Sequence, residues 1–430
     1  MAPAPHSTGD RTESAHGAAA LVTNRRRWAV VALLFAASLI NYFDRAAIAF
    51  ALPLISTELH LGPESKGLLL SAFFWSYALM QIPMGVLADR VNLRWLYAIA
   101  FALWSVSQGL MGLATGLGSL IGFRVLLGIG EAIYLPGGSK IVSLFFRPAE
   151  RGLPSGIFDA GTRTGLVMEG VLVPWLLTNY GWRRTFLVVG FSALAWLLPW
   201  LLVMPRFGGH GHGGGTPHAP IFPRLLRLAR NRNMIGVCVT FFCFDYYWYF
   251  LVNWLPDYLV TARGLTLLRA GIYAALPYLV FGASEPIGGW LADRLVHNGW
   301  TDTRARKVVV TVALLTGLFL IPASRVTTPS AAVALIIGGC LVGLATGNLL
   351  VILQACSPPA EIGLWTGVYN FIGNIAGIVS PLITGFLIAQ TGSYAPAFLL
   401  AGILIALGPL ALWFVVGELK APDPHTFVHD

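Results

Sequence analysis

Charge is scarce in this 430-residue chain: Asp, Glu, Lys and Arg together make up 11% of it, less than half the roughly 25% share in a typical soluble domain. That scarcity argues against a soluble enzyme. Cysteine is scarcer still. The four residues, Cys238, Cys243, Cys340 and Cys356, include no CxxC spacing, which argues against a disulfide framework and a thiolate metal site. Histidine is missing from every long apolar run; all nine sit in tails, loops or the linker between the halves. No GxSxG, HExxH or phosphate-loop string occurs, so no enzymatic motif is present. The long apolar runs do not alternate with period two, which excludes a transmembrane barrel. What the chain does have is apolar residues. They make up 56% of it, with a mean hydropathy of +0.71, and this composition indicates a polytopic membrane protein.

Twelve apolar runs are long enough to span a bilayer as helices: 28–51, 67–88, 95–115, 119–145, 153–178, 185–204, 233–256, 268–291, 307–323, 330–354, 364–389 and 395–416. The first is too long for a signal-peptide core and is read as an uncleaved span. These runs predict an all-α polytopic membrane protein in two six-helix halves, 28–204 and 233–416. A basic N-tail, 1–27, precedes them and is predicted to be disordered; a C-tail, 417–430, follows them. Between the halves lies a linker, 205–232, rich in Gly and Pro and therefore flexible. Within it Arg224, Arg227 and Arg230 recur every three residues, the pattern of a short basic amphipathic helix at a membrane surface.

Lys and Arg total 28, and they are unevenly placed. With the N-terminus inside, 18 lie on inner segments, six on outer loops and four within spans. The positive-inside rule then puts both termini in the cytoplasm. It also assigns the net charge of +9 to lipid headgroups rather than to a nucleic-acid partner. The halves carry an internal repeat. Gly85-Val-Leu-Ala-Asp89-Arg90 recurs as Gly289-Trp-Leu-Ala-Asp293-Arg294, each copy closing an even-numbered span. Duplicated six-span halves are the plan of transporters that rock about a central site.

The GxLADR string after the second span resembles the loop signature of the major facilitator superfamily. Three further strings narrow the resemblance: Asn41-Tyr42-Phe43-Asp44-Arg45, Arg124-Val-Leu-Leu-Gly-Ile-Gly-Glu131-Ala132, and Gly181-Trp182-Arg183. Together they are similar to the anion:cation symporter family of that superfamily, which includes transporters of sugar acids. The resemblance covers nearly the whole chain.

Ionisable groups at mid-membrane are costly unless paired or hydrated. Asp44 and Arg45 in the first span and Arg124 and Glu131 in the fourth are placed to converge, with the first pair expected in the outer half of the membrane. The residues alone allow either a static brace or a functional site. The resemblance implies the second: Arg45 and Arg124 bind a carboxylate, Asp44 and Glu131 couple protons, and Tyr42 and Tyr77 lie near the site. A guanidinium suits the first role, because it grips carboxylate at two points and stays charged. Arg163 in the fifth span is open between a third substrate contact and an i,i+4 pair with Asp159. Asn370 and Asn374 share a face of the eleventh span and could supply polar contacts, as could Trp248 in the aromatic seventh span. Glu285 is assigned to an inner gate, and Gly85, Asp89, Arg90, Gly289, Asp293 and Arg294 to loops that latch the inner face. Glu169 receives no role.

The expected function is proton-coupled symport of a small organic anion, such as a sugar acid, by alternating access. No enzymatic step and no metal or cofactor is expected; protons are the coupling ion. The chain is expected to act as a monomer in a bacterial inner membrane. The alternative is an exchanger or efflux carrier for organic anions or phosphate esters on the same fold.

Overall fold

A computed structural model describes residues 23–146, 150, 152–205, 221–358 and 361–419. The N-tail before Thr23, most of the linker with His210, His212 and His218, and the C-tail from Lys420 lie outside the described residues. Every regular element among the described residues is helical. Eleven stretches are long and apolar enough to cross a membrane: Asn24–Glu58, Pro63–Ala88, Leu93–Leu113, Leu117–Phe145, Leu153–Val203, Arg232–Ala262, Leu267–His297, Asp302–Ala323, Pro329–Cys356, Leu364–Thr391 and Ala395–Phe414. The fifth has 51 residues, about 77 Å at 1.5 Å per residue, against a hydrocarbon core of about 30 Å. It breaks at Gly181, where φ is 73°, a backbone conformation that glycine adopts without a Cβ penalty. It therefore supplies the fifth and sixth spans, and the count is twelve.

The first helix begins at Asn24 and ends at Glu58, longer at both ends than the apolar run 28–51. Asp44 thus lies about 5 Å past the midpoint of the helix. The fourth span is bent. Its first segment stops at Glu131 and its second starts at Tyr134. Pro136 is the cause, since it cannot donate to the carbonyl four residues earlier and its ring crowds that carbonyl. The bend places Glu131 at a helix end inside the bundle.

Three pairings join the halves: first span with seventh, second with eleventh, fifth with eighth. The last two exchange when the halves are swapped, as expected for a duplicated bundle. The second and eleventh spans cross at Gly67 and Gly385, where a Cβ on Gly67 would lie 3.3 Å from the Gly385 Cα and run into the Pro381 carbonyl. Close glycine crossings of this kind replace the hydrophobic drive that is lost in lipid. The aromatic run of the seventh span is packed inward. Phe244, Tyr246, Tyr247, Trp248 and Phe250 are all buried, against neighbouring spans rather than lipid.

The linker helix Ile221–Arg230 forms as the Arg spacing predicts. Two of those arginines are not free for headgroups: Arg224 and Arg227 donate to Glu361, at 3.3 and 3.1 Å, in the segment before the eleventh span. The Gly181-Trp182-Arg183 string also has a structural reading. Trp182 and Arg183 both hold Glu58 at the end of the first span, at 2.6 to 3.0 Å.

Candidate functional site

The charges expected to converge do so only in part. Arg124, Asp44 and Glu131 have no exposed surface, and Arg45 is 6% exposed. Arg45 Nη2 donates to Glu131 Oε2 at 3.0 Å, and its Nε lies 3.3 Å from the same oxygen. A further bond from Nη2 reaches Asn41 Oδ1, four residues back on the same face, at 3.3 Å. The Arg45 guanidinium sits over the rings of Tyr42, Phe73 and Tyr77, 4.8, 4.7 and 4.6 Å from their centroids. This aromatic clamp fixes its plane and adds cation–π attraction.

Arg124 is different. None of its three guanidinium nitrogens has a hydrogen-bond partner among the described residues. It lies in electrostatic reach of Glu131 and Arg45 and shares the Phe73 ring with Arg45, 5.0 Å from its centroid. Glu131 has one oxygen, Oε1, without a partner. The fourth span therefore presents an unsatisfied cation two turns from a half-satisfied acid.

Asp44 does not join Arg45 or Arg124. Adjacent residues on a helix point about 100° apart, so when Arg45 faces the fourth span, Asp44 faces elsewhere. Both Asp44 oxygens lack a partner, as do both oxygens of Glu169, which is also fully buried. The two acids are in electrostatic reach of each other. Glu169 is legible in the sequence as an intramembrane acid, but nothing in its neighbours along the chain points to Asp44.

Arg163 does not pair with Asp159, which is exposed. It pairs with Glu285 of the eighth span, through Nε at 2.9 Å and Nη2 at 2.5 Å. The stem lies against Gly282, where a Cβ would be 3.3 Å from the Arg163 Cβ. Arg163 and Glu285 thus form an ion pair between the two halves, and Arg163 is a cross-half tie, not an i,i+4 pair. Trp248 is beside it, stacked on Phe281 at 3.9 Å, with the Arg163 guanidinium 5.9 Å from its ring. In the eleventh span, Asn374 accepts from the Tyr249 hydroxyl at 3.3 Å and donates to the Asn370 carbonyl at 2.8 Å.

The second loop motif braces its own half. Asp293 accepts from Arg306 of the ninth span at 3.0 Å, and Arg306 also reaches Asp302 and Asn348. Among the described residues, the guanidinium that holds Asp293 comes from the neighbouring ninth span of the same half. Gly289 and Arg294 sit in its closing turns, and Gly85 and Arg90 in those of the second span; the Asp89 side chain lies outside the described part. The closure between halves lies at the opposite face and carries no motif. There Lys66 of the second span donates to both oxygens of Asp257 of the seventh, at 2.9 and 3.2 Å. Tyr394 also donates to Asp257, and its hydroxyl lies 3.0 Å from Thr261 Oγ1.

A two-half bundle of twelve spans, enclosing an unpaired guanidinium and buried acids among the described residues, is the plan of a membrane transporter, not an enzyme. The chain belongs to the Major Facilitator Superfamily, whose model matches residues 34–381 and 295–428. It is 32% identical to the D-galactonate transporter of Escherichia coli over 92% of this chain and 97% of that one. It is 31% identical to a probable galactarate/D-glucarate transporter of Bacillus subtilis, over 92% of each. Among solved structures, a bacterial homologue of the human lysosomal transporter Spinster, inward-facing and occupied, matches with a TM-score of 0.77 at 19% identity. That match covers 92% of this chain and 97% of the other, and it shows the fold.

Proposed function

We propose that this transporter carries a sugar acid together with protons, by alternating access about the Arg45–Arg124–Glu131 cluster. One observation carries the reading: Arg124 is fully buried with no hydrogen-bond partner on any guanidinium nitrogen among the described residues. A buried cation without a partner is costly, and a carboxylate that binds it at two points removes that cost. Arg45, clamped by Tyr42 and Tyr77 and sharing the Phe73 ring with Arg124, supplies a second cationic contact. The likeness to transporters of galactonate and of galactarate or glucarate supports a hydroxylated carboxylate as the substrate.

Protons fall to Asp44 and Glu131, since no histidine lies in the core of a span. Ionised Glu131 and the substrate carboxylate compete for Arg45, so protonating Glu131 releases the guanidinium to the substrate, and proton and substrate bind together. The uneven Lys and Arg distribution supports both termini in the cytoplasm of a bacterial cell and the Lys66–Asp257 seal at the outer face. A single chain encloses the whole cluster, which suits a working monomer.

A thermal-shift panel on the purified protein tests the substrate class. Sugar acids at saturating concentration should raise the melting temperature, because a ligand that binds only the folded state stabilises it. Neutral sugars should not. A shift with neutral sugars and none with sugar acids would overturn the reading.

A further inference from the structure

Asp245 lies within the seventh span and takes no part in the Arg45–Arg124–Glu131 cluster. It is only 8% exposed and accepts no hydrogen bond among the described residues. Arg163 is in electrostatic reach, but that guanidinium is already committed to Glu285 at two points. Gly373 of the eleventh span leaves the room that Asp245 occupies, because a Cβ there would collide with Asp245 Oδ2. Tyr249 is one turn along on the same helix face. It is in electrostatic reach of Asp245 on one side and of Arg45 and Tyr42 on the other, and its hydroxyl holds Asn374. The central region therefore has a polarity. Its N-half end is cationic, and its C-half end presents a carboxyl with unfilled acceptor positions.

From this geometry we infer that Asp245 selects the substrate: it accepts hydrogen bonds from hydroxyls remote from the bound carboxylate and repels a second carboxylate, so the cargo is a polyhydroxy monocarboxylate. The inference rests on the sugar-acid reading and narrows it. A carboxylate oxygen pair offers about four acceptor positions and no donor, so it matches a polyol chain and not another anion. An analogue lacking the hydroxyls leaves those positions unfilled in a desolvated place, and a like charge opposed to Asp245 is disfavoured. The relatives include carriers of both kinds of acid, so family membership does not decide the matter.

The test uses the full-length protein in detergent, with calorimetric titration of matched pairs. D-galactonate and galactarate differ only at C6, as do D-gluconate and D-glucarate; D-galacturonate serves as a fifth ligand. Wild type should bind at least one monocarboxylate about tenfold or more tightly than the matching or any dicarboxylate. Asp245→Asn should shrink that ratio to about threefold or less, chiefly by gaining dicarboxylate affinity. Equal or tighter dicarboxylate binding by wild type, or an unchanged ratio in Asp245→Asn, overturns the selection by Asp245 and leaves the sugar-acid reading standing. Failure of all five acids to bind wild type overturns both. If Asp245→Asn does not fold, the wild-type ratio alone decides between selection and its absence.

Discussion

Arg163 and Glu285 belong to different halves of the transporter, 122 residues apart, and meet in a two-point ion pair at 2.9 and 2.5 Å. Their side chains are 22% and 16% exposed, so the pair is not fully enclosed by protein. In an alternating-access cycle that parts the halves at this point, a tie of this kind would have to break. Its strength would then set part of the barrier between states.

Removing one partner strands the other. Arg163→Gln and Glu285→Gln should each destabilise the protein by about 1–3 kcal/mol, below the range for a fully buried pair because both groups are only partly enclosed by protein. The double variant should recover part of the loss, whereas Asp159→Asn should leave the melting temperature unchanged. A double-mutant cycle on thermal unfolding gives the coupling. Additive losses, or coupling of Arg163 to Asp159 instead, would contradict the structure.

Arg124→Lys keeps the charge but loses the planar fork. Substrate affinity should fall about 10- to 100-fold, the worth of one or two charge-assisted hydrogen bonds, with the bundle intact. Calorimetric titration measures it, and near-normal affinity would make Arg124 a brace only.

Glu131→Gln keeps the size and one acceptor oxygen for Arg45 but has no titratable proton to bind and release. Counterflow, which needs no net proton movement, should survive better than uptake driven by a proton gradient. Parallel loss of both would remove Glu131 from the coupling path.

The Lys66–Asp257 seal predicts a conformational effect far from the central cluster. Asp257→Asn should weaken the closure and lengthen the separation between the second and eleventh spans at that face. Spin labels at Glu64 and Gln390, both exposed, report it as a longer component in the distance distribution. An unchanged distribution would show that the Gly67–Gly385 crossing holds the face shut alone.

The twelve spans, the linker helix and the buried position of the four charges are all legible in the sequence, because apolar length and the cost of intramembrane charge are local properties. The partners are not. Arg163 has an acid one turn away in Asp159, and along the chain the local pair is as plausible as any; helix rotation turns it instead toward Glu285. Asp44 and Arg45 look like a unit in the chain, yet neighbouring positions on a helix cannot face one partner. Lys66 reads as an ordinary loop cation, and only the packing of the second span beside the seventh gives it Asp257. Apolar length alone also understates the first helix, which continues past both ends of its apolar run.

The central claim is that a sugar acid and protons move together. It is tested most directly by reconstituting the full chain in liposomes in weakly buffered medium and recording external pH on addition of D-galactonate, D-gluconate or D-galacturonate. The account predicts external alkalinisation with at least one of these acids, absent with a neutral sugar and lost in Glu131→Gln. Uptake of the acid with no pH change, or with external acidification, would contradict it.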